Sequence, residues 1–261
     1  MESNPITTRL TLRSVQAFHR QQHVKHYVVV GGSSTIAQAI ISELIEQDSS
    51  IKVIVISRSS CPDKLNIAQV HWTQSQYDEQ SLSQWIKDYR DQNIVGVFIC
   101  NGQLQSTTKR AEKSLSEFNC DSFLQSMTIN CAIPLLALQQ VILQISPQQR
   151  TTIVVFNARV GSISDNNLGG WYSYRAAKAA LNMALKTAAI EFARTHKHLS
   201  LISFHPGTID SPLSRPYQSR LKKGQLRLAS DLAKQLLLIV KLSPANGELS
   251  FIDWRGDTIG W

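Results

Sequence analysis

Cysteine is scarce and scattered: Cys61, Cys100, Cys120 and Cys131 are the four in 261 residues. No two of them form a CxxC pair or a metal-ligand spacing, which argues against a zinc module or dithiol centre and suits a reducing cytosol. The seven histidines share no helix face and no zinc spacing, so no metal site is expected. No apolar run approaches the length that spans a bilayer. The basic, acid-poor residues 1–26 carry Arg9, Arg13, Arg20 and Lys25 but lack the apolar stretch of a secretory signal. They read as a flexible N-terminal extension ahead of one domain over 27–261. No GxSxG nucleophile elbow is present, and no repeat, low-complexity tract or linker divides the chain. Acidic residues are outnumbered, 19 against 27 basic ones, for a formal charge of +8. The basic residues are spread out, with no zinc-finger, basic-zipper or RNP pattern beside them. The charge is therefore read as a solvated surface with a site for an anionic cofactor, not as a nucleic-acid interface. The expected setting is cytoplasmic, with no nucleic-acid and no membrane partner.

What is present is alternation. Short β-branched runs at 27–30, 53–56, 95–99, 152–156 and 201–204 read as buried strands, with weaker ones at 68–72 and 248–252. Helical patterns at 36–46, 79–90, 121–145, 172–195 and 230–240 lie between them. This βαβα order predicts an α/β fold, a single-domain doubly wound parallel sheet of Rossmann type with helices on both faces.

Three features carry chemistry. Tyr174 and Lys178 stand at i and i+4, one helical turn apart, so a phenol and an ammonium point into one site. The ammonium is expected to lower the phenol's pKa and make Tyr174 a general acid or base near neutral pH. The first strand enters Gly31-Gly32-Ser33-Ser34-Thr35-Ile36 and a helix follows, a turn in which backbone can approach a pyrophosphate. Gly31 is then the first glycine, with Ser34 and Ala37 at the second and third places; alternatively Gly32 comes first and the loop is one residue shorter. Ser33 or Ser34 would also serve as a helix cap. At the end of the second strand, where an acid would hold a ribose hydroxyl, the chain has Ser57-Arg58-Ser59. A guanidinium without an acid favours a 2′-phosphate, hence NADP(H).

Together these residues resemble the short-chain dehydrogenase/reductase family, over roughly residues 27–252. The runs Gly161-Ser162-Ile163-Ser164-Asp165-Asn166, Leu168-Gly169-Gly170-Trp171-Tyr172-Ser173-Tyr174 and His205-Pro206-Gly207-Thr208-Ile209-Asp210 resemble its bacterial C-factor branch and the carbonyl-reductase relatives. The resemblance implies an oxidoreductase acting on a carbonyl or alcohol, with Tyr174 as acid, Lys178 on the nicotinamide ribose and Asn130 supporting a proton relay. It implies that Asn101 and Gly102 flank the adenosine ribose, Asn101 standing where relatives have alanine, and that Pro206, Gly207, Thr208 and Ile209 wrap the nicotinamide. It implies a homodimer or homotetramer, with the helices starting at Asp121 and Tyr172 packed across a two-fold axis. One departure stands out: Ala158 occupies the place of the carbonyl-polarising serine. Ser162 is the candidate replacement hydroxyl, and Asn157 could donate only if the strand end were rotated. The same departure leaves open an NADP(H)-binding sensor with little turnover. Trp171, Tyr172 and Trp254 could line an apolar substrate wall or simply pack. The substrate itself depends on the stretch around 211–223.

Overall fold

A computed structural model describes residues 24–90, 92–105, 110–221 and 224–261. Most of the extension expected over residues 1–26 lies outside the described residues; His26 opens the first strand.

Seven strands form one fully parallel sheet: β1 (His26–Val30), β2 (Lys52–Ser57), β3 (Val70–Gln74), β4 (Ile94–Ile99), β5 (Thr151–Phe156), β6 (Leu199–His205) and β9 (Leu249–Asp253). Their order is β3-β2-β1-β4-β5-β6-β9. A two-stranded pair, β7 (Thr208–Ile209) with β8 (Leu226–Arg227), sits apart. The helices are α1 (Thr35–Gln47), α2 (Glu79–Ile86), α3 (Cys120–Met127), α4 (Ile133–Ile142), α5 (Tyr172–Thr195) and α6 (Ala229–Leu242).

Strand residues alternate between two cores. Val28, Val30, Ile54 and Ile56 pack with Leu82 and Trp85 of α2, Leu138 and Val141 of α4, and Leu181 and Leu185 of α5. Val29, Val53 and Val55 point the other way, onto Ile40 and Ile41 of α1 and Leu232 and Leu236 of α6. Because both faces are covered, the strands carry near-continuous apolar runs instead of alternating ones.

Three differences from the sequence expectations have physical causes. The helix expected over 121–145 is three pieces, because Thr128–Ala132 forms a π-helical turn between α3 and α4. The helix expected over 79–90 ends its α form at Ile86 and tightens into a 3₁₀ turn over Lys87–Tyr89. The β7–β8 pair is too short, at two residues each, to leave a periodic signal.

The strand order reverses between β1 and β4, since the chain first builds outward to β3 and then crosses back. In open α/β sheets that crevice, at the carboxyl ends of the strands, is where ligands bind. The turn after β1 and the ends of β2 and β4 all meet there.

Candidate functional site

The turn after β1 is built for close approach. The N–H groups of Gly31 and Gly32 donate to the Ile56 carbonyl at 3.0 and 3.2 Å, which ties the turn to the end of β2. Gly31 has φ +84°, and a Cβ there would stand 3.2 Å from the Cys100 carbonyl carbon and 3.3 Å from the Asn101 nitrogen. A Cβ on Gly32 would overlap Val55 Cγ1 and come within 2.9 Å of Trp72 Cη2. Ser34 has φ −68° and ψ 146°, and its hydroxyl accepts from the Ala37 N–H at 3.1 Å. It caps α1 in an extended conformation, so a serine is suitable where a glycine had been expected. Thr35 and Ile36 form the first turn of α1, and Ser33 is exposed.

Arg58 follows the buried Ser57 and is exposed. Its guanidinium carbon lies 5.9 Å from the centroid of the Tyr77 ring, and its carbonyl accepts from Gln74 Nε2 at 3.1 Å. Burial raises the Tyr77 pKa. Across the crevice, Asn101 Oδ1 is buried and has no hydrogen-bond partner among the described residues.

Asn130 sits in the π-helical turn and is fully buried. Its Oδ1 accepts from the Gln103 N–H at 2.8 Å, and its Nδ2 donates to the Gln103 carbonyl at 2.9 Å and the Ser126 carbonyl at 3.1 Å. The side chain thus clamps the backbone leaving β4. A Cβ built on Gly102 would lie 3.6 Å from Asn130 Oδ1 and 3.7 Å from Lys178 Nζ, so these three residues share one small volume.

Tyr174 and Lys178 lie on the buried face of α5. Lys178 Nζ donates to the Phe156 carbonyl, at the end of β5, at 3.0 Å. It is 5.8 Å from the centroid of the Tyr174 ring. Burial pushes the Lys178 pKa down to about 8. The expected lowering of the Tyr174 pKa is corrected: burial raises it, because the phenolate would be desolvated. The phenol is therefore protonated at neutral pH.

At the end of β5, Ala158 brings no hydroxyl and Asn157 does not supply a substitute. Asn157 Nδ2 donates to Asn182 Oδ1 at 2.6 Å and Ser203 Oγ at 3.0 Å, and its Oδ1 accepts from the Ala158 N–H at 2.9 Å. The amide is turned beneath α5 and fully engaged. Ser162 is buried, and its hydroxyl accepts from the Asp165 N–H at 3.1 Å and lies 3.2 Å from Ser164 Oγ. Those bonds are those of a loop cap, which runs against its reading as the replacement donor.

Pro206 and Gly207, at φ +73°, turn the chain from β6 into Thr208 and Ile209 of β7. A Cβ on Gly207 would stand 3.0 Å from Trp254 Cδ1. Trp254 also takes the Arg227 guanidinium 3.1 Å from its ring centroid and the Arg255 guanidinium at 5.3 Å, so it packs the turn instead of facing a substrate. His205 Nδ1 is buried without a partner among the described residues, and burial, with Arg159 second, lowers its pKa to about 4.

A small cleft of about 50 Å³ opens beside Tyr174, lined also by Gln103, Gln105, Glu112, Ser126, Ile129 and Ser173. Two of its neighbours escaped the sequence reading. Glu112 is buried, and its carboxylate accepts from both the Ser173 N–H and the Ser173 hydroxyl. Tyr217 donates its phenol proton to Gln105 Oε1 at 2.7 Å. Neither belongs to a motif; the only local hint was Gly169-Gly170 ahead of Trp171, since paired glycines favour left-handed backbone. Among the described residues no group of three or more His, Cys, Asp or Glu is placed to hold a metal ion, and no helix is long and apolar enough to cross a membrane.

Residues 25–222 match the family described as short chain dehydrogenase. Benzil reductase ((S)-benzoin forming) of Bacillus subtilis (strain 168) is 23% identical over 239 residues, 85% of this chain and 96% of that protein. The C-signal protein of Myxococcus xanthus is 24% identical over 168 residues, 62% of this chain and 96% of that protein. A Burkholderia multivorans short-chain dehydrogenase/reductase solved with bound NADP superposes with a TM-score of 0.76 at 19% identity, covering 91% of this chain and 100% of that one. At that identity the likeness concerns the fold alone.

Proposed function

This chain belongs to the short chain dehydrogenase family, and from that premise we propose that it is an NADP(H)-dependent oxidoreductase interconverting a carbonyl and an alcohol. The observation that carries the reading is the meeting of Tyr174, Lys178, Asn130 and Gly102 at the same crevice as the Gly31–Gly32 turn. The crevice suits a dinucleotide: the Gly31–Gly32 turn leads into the N-terminus of α1, where backbone can meet a pyrophosphate, and the orphaned Asn101 Oδ1 is able to accept from a ribose hydroxyl. No acid flanks Arg58, whose exposed guanidinium suits a 2′-phosphate.

Bound NADPH supplies hydride to the carbonyl carbon. Tyr174 gives its proton to the developing alkoxide oxygen, with the Lys178 ammonium 5.8 Å from its ring to favour the phenolate left behind. Lys178, pinned to the Phe156 carbonyl, holds a positive charge beside that phenol and has donors left for a ribose hydroxyl. Asn130 fixes the backbone of Gln103 and so the floor of the site. Pro206, Gly207, Thr208 and Ile209, which carry the chain from β6 through a turn into β7, would hold the nicotinamide side of the cofactor. Exposed Leu124, Met183 and Ile190 on α3 and α5 support pairing of these helices across a two-fold axis in a homodimer or homotetramer.

Fluorescence titration with NADPH and NADH, followed by NADPH oxidation against aldehydes and ketones, tests the proposal. NADPH binds more tightly than NADH, and Arg58→Ala removes that preference. Tyr174→Phe abolishes turnover while NADPH still binds. Equal loss of both cofactors in Arg58→Ala, or retained turnover in Tyr174→Phe, overturns the corresponding assignment. Binding without turnover by the unaltered protein transfers the reading to an NADP(H) sensor, which Ala158 favours.

A further inference from the structure

Trp171 is the one non-glycine with positive φ among the described residues, at φ 52° and ψ 44°. A bulky aromatic residue is a poor fit to left-handed backbone, and it persists there only where its surroundings over-determine it. They do so here. The Glu112 carbonyl accepts from the Trp171 N–H, and the Glu112 carboxylate caps the next residue but one, Ser173, through both its N–H and its hydroxyl. Arg175 reaches back one turn, donating from Nε to the Gly170 carbonyl at 3.0 Å and from Nη2 to the Gly169 carbonyl at 3.1 Å. Gly169 and Gly170 are themselves left-handed, at φ +64° and +67°.

A helix start needs none of this, since asparagine, glycine or serine would begin α5 without strain. What the conformation achieves is the aim of the indole. Its ring meets the Tyr174 ring edge-to-face at 6.5 Å and 77°, and the Tyr217 ring at 5.2 Å and 62°. Tyr217 belongs to the 3₁₀ segment Arg215–Arg220, and its phenol is tied to Gln105 on the loop after β4. Both Trp171 and Tyr217 are only half-buried, so each keeps surface that a ligand can cover.

We propose that Trp171 is a specificity residue of this site: with Tyr217 it forms an aromatic wall beside the Tyr174 phenol that receives an aryl group carried by the substrate's carbonyl carbon. The proposal rests on the reading of Tyr174 as proton donor. An aryl ring gains edge and face contacts along such a wall, and a backbone already held in place loses little freedom on binding. A short alkyl carbonyl has nothing to put there.

Because glycine takes left-handed backbone readily, Trp171→Gly removes the indole and leaves the helix start in position. Trp171→Phe keeps a ring. With NADPH saturating, kcat and KM are measured for acetophenone and for butanal, and the NADPH Kd serves as the control for an intact fold. Trp171→Gly loses about tenfold or more in kcat/KM for acetophenone, chiefly through KM, and far less for butanal; Trp171→Phe recovers most of the loss. Equal losses on both substrates, or no loss on either, overturn the proposal. Should the unaltered protein turn over neither substrate, benzil titrated into the NADP-saturated protein is followed by the melting temperature. A benzil-induced rise that Trp171→Gly abolishes supports the aromatic wall and counts only against turnover. No rise in the unaltered protein, or an undiminished rise in the variant, overturns the wall itself.

Discussion

Ala158 follows the end of β5 with a methyl group, where relatives place a hydroxyl. Asn157 is spent on Asn182 and Ser203, while the Ser162 oxygen accepts from the Asp165 N–H of its own loop. Restoring a hydroxyl with Ala158→Ser should raise kcat for carbonyl reduction, by up to ~10²–10³ if the new donor aligns as an oxyanion-hole group does, with the NADPH Kd unchanged. A steady-state comparison of the two proteins checks this; an unchanged kcat means that polarisation comes from elsewhere. On the proposed mechanism, Lys178 is expected to set the pH dependence. Its pKa lies near 8, so the ammonium is present below that pH and is lost above it. Since the charged form supports the alkoxide, kcat for reduction is flat from pH 6 to about 8 and falls as pH rises further. In Lys178→Arg, which stays charged, the break near 8 disappears from the pH–rate profile. The i, i+4 spacing of Tyr174 and Lys178 was legible because one helix carries both. The sign of the Tyr174 shift was not, because burial in the folded chain decides it. Glu112 was invisible for a related reason: it caps α5 from 61 residues upstream, and no local pattern announces a carboxylate that works at such a distance.

At the scale of elements, most of the strands and helices were readable from runs and periodicity, with ends shifted by one or two residues. The 121–145 segment was not, because a π-helical turn leaves the apolar pattern nearly intact while adding a residue to the turn. That added residue is part of what lets Asn130 face β4 and bond Gln103 on both its atoms. The β1–α1 turn was recognised by its glycines, although the reason for each differs. Gly31 is required by its dihedral, Gly32 by the contact of α1's entry with Val55 and Trp72. Gly32→Ala therefore overpacks the joint between β2, β3 and the turn. It should cost about 1–3 kcal/mol of stability, read as a lowered urea midpoint, and weaken NADPH binding in the same protein. Unchanged stability would mean that Trp72 swings aside freely.

For the whole molecule, the parallel order β3-β2-β1-β4-β5-β6-β9 follows from alternating strand and helix signals, but the position of each strand in the sheet was not written in any one segment. The two cores share the same strands, with Val29 facing one layer and Val28 and Val30 the other. Neither layer can melt without stripping the sheet beneath its partner. Urea unfolding followed by far-UV circular dichroism and by tryptophan fluorescence should give coincident midpoints, and NADPH at 100 times its Kd should add about 2.7 kcal/mol. Separated midpoints would reveal a subdomain within 27–261.

Trp254 gives the protein a built-in optical gauge. Its indole lies against Gly207 and within 3.1 and 5.3 Å of the guanidinium groups of Arg227 and Arg255, so its emission depends on how those charges sit by the ring. Any movement of the Pro206–Gly207 turn slides that ring relative to its cations. A shift in emission on adding NADPH that is lost in Trp254→Phe would pick that movement out among the protein's five tryptophans.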